Sequence, residues 1–244
     1  LVGSEMCIRD RQYTYPLRMS KTATTANFYR LLFLGCLTTT ISCTQEKGNN
    51  LQTEERLWSI DFFDDFDAFD DANWQDQGIW VNNESHAYVP NGKYNTREVS
   101  DGSLKIRVVK LDTPIVSDTY DKFGNLHPAT AYVAGRICSK NRKEFVKGKW
   151  TARLKLHSSG QPSQFPAWWI LGAQNNESPI QEENENVCWP LYGSGEIDIF
   201  EHHGDYTAKE FTTGAIVSLD SCDKGDWWSA RKNIATTLTE YHEY

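Results

Sequence analysis

From Leu57 onward, no stretch of this chain carries the apolar period of an amphipathic helix. Apolar residues instead recur at every second position, in short runs bounded by Gly, Pro, Asn, Asp and Ser. Residues 103–108 alternate directly after the turn pair Asp101-Gly102. Residues 149–156 alternate as well, with Trp150, Ala152, Leu154 and Leu156 on one face. Residues 165–172 (FPAWWILG) are apolar on both faces and read as a central strand. The polar, acidic stretch 173–186 that follows reads as a surface loop. Many short strands at this spacing predict an all-β sandwich or barrel. The 244 residues suffice for one such domain.

The N-terminal region reads differently. The chain does not begin with Met, and LVGSEMCIRDR has neither periodicity nor capping logic. It resembles a translated adapter read-through, so residues 1–18 are set aside as a non-native leader. From Met19 the sequence runs through a basic segment, then an apolar run (LLFLGCLTTTIS), then Cys43. Residues 19–43 therefore read as a signal peptide of lipoprotein type. The run 31–42 is too short to span a bilayer. Thr40-Ile41-Ser42-Cys43 resembles a bacterial lipoprotein box, with Thr40 replacing the usual Leu. Cys43 is thus the expected lipid anchor, and Cys36 is a second candidate. The protein is expected at a bacterial cell surface or in the periplasm, with simple secretion or a membrane-retained leader as alternatives. Residues 44–56 are polar and read as a tether, and 57–244 as the folded domain. After Cys43 only Cys138, Cys188 and Cys222 remain. That count allows one disulfide and one free thiol, and Cys188–Cys222 is the expected pair.

Charge narrows the partners. The whole chain carries a net charge of −8. Without residues 1–43, 20 basic and 31 acidic residues remain. That balance argues against nucleic acid and against an anionic membrane surface. It also disfavours a polyanionic substrate such as a sulfated galactan. Aromatics make up 13% of the chain, with nine Trp. Trp offers a flat platform to the apolar face of a sugar, although cores use the same residues. The sequence has no internal repeat, no P-loop and no zinc-type Cys/His spacing.

The chemistry concentrates in Gly195-Glu196-Ile197-Asp198-Ile199-Phe200-Glu201. On a strand, Glu196 and Asp198 share one face, and Ile197 and Ile199 share the other, apolar one, which reads as buried. Strict alternation sends Glu201 to the apolar face. One extra residue near Ile199-Phe200, taken up as a β-bulge, returns it to the carboxylate face. Clustered carboxylates raise one another's pKa, so one can stay protonated near neutral pH. Retaining glycoside hydrolysis uses that asymmetry: one ionised carboxylate attacks, and one protonated carboxyl donates. The carboxyls must then lie about 5–5.5 Å apart. By strand rise the bulged Glu196 and Glu201 are roughly 13 Å apart at Cα. Side-chain lean and sheet curvature have to close that gap. A solvated acidic face or a calcium site would use the same residue types.

Further motifs extend the pattern. GEIDIFEH is similar to the Glu-x-Asp-x-x-Glu signature of glycoside hydrolase family 16. Phe63-Asp64-Asp65-Phe66 with Trp74 resembles that family's opening strand. Trp80-Val81-Asn82-Asn83-Glu84 with Tyr88 resembles its WNNE segment, and Ala134-Gly135-Arg136-Ile137 with Lys140 its SGRI strand. FPAWWILG is similar to WPAFWLLG, and Trp189-Pro190 before GEIDIFE to the laminarinase pattern. The resemblance runs from about Leu57 to Tyr244, with the motifs in the family's order.

The resemblance implies a concanavalin A-like β-jelly-roll sandwich with a concave substrate cleft. It implies an endo-acting β-1,3-glucanase of laminarinase type that retains configuration and needs no cofactor. Glu196 would be the nucleophile, Glu201 the general acid/base, and Asp198 the partner that steers the nucleophile's charge. Trp169, Trp189, Asn82 and Arg136 would bind substrate. Arg136 could equally be a structural ion-pair residue, and His202 and His203 are expected at the rim. Trp168 is expected in the core. Asp65 and the Gly102 carbonyl would be the matching residues of a structural calcium site. The expected partner is a β-glucan polysaccharide, with membrane contact only through Cys43, and a monomer is expected. Alternatives are a mixed-linkage β-glucanase, an agarase- or carrageenase-type galactanase, a transglycosylase, and a non-catalytic sugar-binding lipoprotein.

The sequence also departs from the family's pattern. Two extra residues separate Trp189-Pro190 from the nucleophile, Phe165 replaces a Trp, and Trp168 replaces a Phe. The final Thr239-Glu240-Tyr241-His242-Glu243-Tyr244 resembles the family's DFHxYxxEW strand cut midway. The chain is therefore expected to be a fragment with open central edges, folding poorly and inactive alone. A monodisperse 44–244 product with a cooperative thermal transition would sink that expectation.

Overall fold

The computed structural model describes residues 5–8, 10–14, 58–157, 164–222 and 224–244, the first two segments as backbone. In chain order the strands are β1 (Glu5–Ile8), β2 (Asp10–Thr14), β3 (Ser59–Asp64), β4 (Gln75–Asp76), β5 (Ala87–Tyr88), β6 (Arg97–Ser100), β7 (Ser103–Ile115), β8 (Thr130–Ala134), β9 (Ile137–Cys138), β10 (Lys149–Leu156), β11 (Ala167–Leu171), β12 (Glu196–Glu201), β13 (Glu210–Val217), β14 (Asp226–Asn233) and β15 (His242–Glu243). Helix among the described residues is limited to a single 3-10 turn at Lys93–Asn95.

Two sheets carry the architecture. The larger has the order β3-β2-β10-β1-β7-β8-β5, with β15 on β10 and β6 on β7. The smaller is antiparallel, in the order β11-β12-β13-β14. β4 and β9 form a separate ribbon. The β6–β7 hairpin turns on Asp101-Gly102, with φ of 56° and 63°. Two consecutive left-handed residues make the turn whose twist suits a hairpin, and Gly takes that conformation at no steric cost.

The alternation read in 149–156 puts Ala152, Leu154 and Leu156 of β10 in the core. With Leu104 of β7 they meet Phe200 of β12, Phe66 and Leu238. This cluster joins the two sheets. Each large apolar side chain buried there contributes roughly 1.5–3 kcal/mol. Trp168 packs against the same cluster, on the core side as expected.

Two features differ from the sequence reading. β11, read as a central strand, is the edge of its sheet, and all five residues are half-buried. Its second face is apolar because Trp169 and Leu171 pair with carboxylate-bearing positions of β12. Residues 5–8 and 10–14, set aside from the fold, are placed as β1 and β2, and pair with β7, β10 and β3. Extended backbone offers N–H and C=O groups whatever its side chains, so such pairing leaves no periodic mark in sequence. β10 is paired on both edges, by β2 and β1 on one and by β15 on the other, whereas β11 and β14 are the open edges of the smaller sheet. The lipoprotein-type leader, the tether and both candidate anchors, Cys36 and Cys43, lie outside the described residues.

Candidate active site

β12 runs through the interior of the four-stranded sheet. Toward β11, Trp169 pairs with Asp198 and Trp168 with Phe200, which leaves Ile199 as the extra residue. Toward β13, Asp198 pairs with Gly214 and Glu201 with Thr212, with the same shift. The bulge turns Glu201 to the face of Glu196 and Asp198. Cross-strand rows extend that face: Glu196, Ile216 and Trp227; Asp198, Gly214 and Ser229; Glu201, Thr212 and Arg231. Gly214 is needed here. A Cβ at that position would lie 2.9 Å from the Trp228 carbonyl oxygen and 3.4 Å from Asp198 Oδ2.

Phe200 points the other way and is fully buried. Its ring stacks on Phe211 at 5.4 Å and meets Tyr244 edge-on at 4.9 Å. Ile197 shares the apolar side but is 52% exposed. The sequence reading expects that whole side to be buried. The core instead reaches only its Phe200 end, so Ile197 has alternation without cover.

Burial first, and then the charge and hydrogen bond of the neighbouring Asp198, push the Glu196 carboxyl up to about 8. Burial also raises Asp198, opposed by its hydrogen bond with Glu196. The two titrate as a pair that shares a proton. Glu201 is pushed up to about 7, first by burial and then by the charge of Asp198. Near neutrality Glu196 and, in part, Glu201 thus keep protons that solvated carboxylates would have lost. Burial favours the pair's proton on Glu196, so an attacking Glu196 requires that proton to pass to Asp198, while a protonated Glu201 could serve as a donor.

Around them stand aromatic and charged walls. The Arg136 guanidinium lies 4.7 Å from the Trp169 ring centroid and 5.6 Å from that of Tyr88. Arg136 donates from Nε to Gln77 Oε1 at 2.7 Å and from Nη2 to Glu177 Oε2 at 3.0 Å. It is therefore both an ion-pair residue and part of the wall beside Trp169. Glu177 sits on the acidic loop, which buried Lys140 ties down by donating to the carbonyls of Asn175 at 2.7 Å and Glu177 at 2.6 Å. Glu177 is near enough to Glu196 to add to its raised pKa.

Trp189 is brought near Glu196 despite the two extra residues. Its buried indole N–H makes no hydrogen bond, but lies near enough to Glu196 to lower its pKa against the larger effect of burial. The Cys188–Cys222 disulfide holds this loop, and Cys138 is a free thiol. Gly172 and Gly193 let the loop close, since a Cβ on Gly172 would lie 2.3 Å from the Gly193 carbonyl oxygen.

The remaining predicted residues lie elsewhere. Asn82 is exposed, and its backbone N–H donates to Glu84 Oε2 at 3.0 Å. Asp65 accepts from the Asp67 backbone at 3.4 Å, and Gly102 occupies the β6–β7 turn. Among the described residues, no group of three or more His, Cys, Asp or Glu side chains is arranged to hold a metal ion. Sequence reasoning missed Glu177. It stands in a run of acidic residues, and only its pairing with Arg136 distinguishes it from them.

The path of the chain matches solved structures. LamA of Zobellia galactanivorans, in complex with laminaritriose and laminaritetraose, aligns with a TM-score of 0.51 at 24% identity, over 74% of this chain and 70% of that one. An endo-β-1,3-glucanase from Pyrococcus furiosus aligns with 0.51 at 19%, over 74% and 64%. A laminarinase catalytic domain from Thermotoga maritima aligns with 0.50 at 20%, over 74% and 66%. The fold is a laminarinase-type β-jelly roll. Within this jelly roll the three carboxylates lie on the face of the smaller sheet turned away from the Phe200 core. No protein-family model matches the sequence, and no curated protein does.

Proposed function

We propose that this chain is the catalytic part of a retaining endo-glycoside hydrolase acting on β-1,3-glucan. The observation that carries this reading is the bulged β12, which sets Glu196, Asp198 and Glu201 on one face with raised pKa values. Glu196 attacks the anomeric carbon and forms a glycosyl-enzyme. Glu201 gives its proton to the leaving oxygen, then takes one from water as the intermediate is hydrolysed. For that attack Asp198 must take the proton that the pair shares, leaving Glu196 ionised. Two carboxyls with separated roles suffice for both steps, so the reaction calls for no cofactor. Trp169 and Trp189 bind sugar beside the nucleophile. The glucan assignment is supported by the laminarinase-type fold and by the acidic surface, which disfavours an anionic polysaccharide.

The full-length gene product should be incubated in parallel with laminarin, mixed-linkage glucan and agarose, and reducing ends followed. Release from laminarin, lost in Glu196→Gln, is expected. Activity on agarose alone would keep the mechanism and overturn the substrate. Laminarin binding without release would support a sugar-binding protein instead. We further propose export with a lipid on Cys43, checked by metabolic labelling with a fatty acid and its loss in Cys43→Ser. The proposed structural calcium at Asp65 and the Gly102 carbonyl predicts a lower Tm after chelation, and an unmoved Tm would remove it.

A further inference from the structure

The cleft face continues past Glu201. Phe165 lies two residues before Ala167, the partner of Glu201 on β11. By alternation it joins Ala167 on the carboxylate face. His203 lies two residues beyond Glu201, and its ring centroid is 4.5 Å from that of Phe165 and 4.8 Å from that of Tyr206. The Tyr206 hydroxyl and Thr212 Oγ1 are 2.6 Å apart, and Thr212 is the β13 partner of Glu201. The Arg231 guanidinium, from the same cross-strand row, lies 3.9 Å from the Tyr206 ring centroid. Three rings and a cation thus form one continuous wall, anchored twice to the acid/base row.

The wall is open to an occupant. Phe165 is 52% exposed, although its neighbour Gln164 is buried. Burial holds the His203 imidazole below its ordinary pKa, against the charge of Asp205, so it meets a ligand as a flat neutral ring. Such a surface takes the axial C–H face of a pyranose better than an ion or a peptide. Glu201 protonates the leaving oxygen, so whatever lies beyond it on that face meets the leaving sugar.

We propose that Phe165, His203 and Tyr206 form a stacking subsite for the leaving-group sugar of the glucan, on the acid/base side of the cleft. The inference rests on the reading of Glu201 as the acid. It makes the wall a determinant of which leaving sugar is accepted, distinct from Trp169 and Trp189 beside the nucleophile.

The test compares two substrates in the full-length gene product and its Phe165→Ala and Phe165→Trp variants. One is laminaripentaose, whose leaving group is a sugar. The other is β-laminaritriosyl fluoride, whose leaving fluoride presents no ring. In Phe165→Ala the ratio of kcat/KM for the pentaose to that for the fluoride should fall roughly tenfold, the scale of one lost stacking contact. Phe165→Trp should restore it. An unaltered ratio in Phe165→Ala, or equal losses on both substrates, would overturn the subsite. Turnover of neither substrate by the parent protein would overturn the glucanase reading and this subsite with it.

Discussion

The two faces of β12 are made from adjacent residues and behave as opposites. On one side Phe200 is fully buried and held by Phe211 and Tyr244. On the other, three carboxyls share a face and each has a raised pKa. Charges crowded in this way oppose folding once they ionise. The apolar side offsets that penalty and holds the strand in one register. The same contrast appears along the strand: Phe200 is packed, whereas Ile197 is 52% exposed. Apolar identity alone therefore does not make an anchor, and the opposing sheet decides which residues become one.

The sharpest way to break the comparison is Glu196→Gln. Hydrolysis should fall at least about 10³-fold while laminarin binding remains. Loss of both by titration calorimetry would make Glu196 structural and erase the division of labour between the faces. Next comes the anchor. Phe200→Ala should destabilise the fold by roughly 3–5 kcal/mol in denaturant unfolding. A loss below about 1 kcal/mol would mean that the strand is held elsewhere.

The pH dependence sharpens the carboxylate side. With Glu201 at about 7, kcat/KM should fall as pH rises through that value, because the donor loses its proton. Stability follows the same group. Its folded pKa exceeds the unfolded value of 4.5, so the folded state binds the extra proton between the two. Stability therefore declines as pH rises from about 4.5 toward 7. Glu201→Gln removes that decline, and at pH 8 should gain on the order of 1 kcal/mol, discounted for solvent screening. An equal gain at pH 4 would separate the effect from ionisation. The smallest effect belongs to Ile197→Thr, expected within about 0.5 kcal/mol of the parent. A loss rivalling that of Phe200→Ala would show Ile197 to be covered after all.

The sequence made a good part of this legible for a simple reason. Period-two alternation is local, and so is the one-residue excess that turns Glu201. The positions of β7 and β10, the Asp101-Gly102 turn and the Ile199 bulge are all consequences of neighbours along the chain. Trp168 and Trp169 could be assigned to opposite sides on the same basis. Where the reading failed, the deciding partner was distant. β11 looked central because an aromatic-lined cleft face and a core face are equally apolar in sequence. Ile197 looked buried because alternation names a face without saying what lies opposite it.

By itself, then, the sequence determined the all-β class, the strand that carries Glu196, Asp198 and Glu201, and the bulge that aligns them. Each is set by spacing within a few residues. Only the tertiary structure decided that Glu177 pairs with Arg136 across 41 positions, that Trp189 comes near Glu196, and that Phe165, His203 and Tyr206 meet beyond Glu201. Those contacts depend on loops returning to one sheet, and loop closure leaves no periodic mark in a sequence.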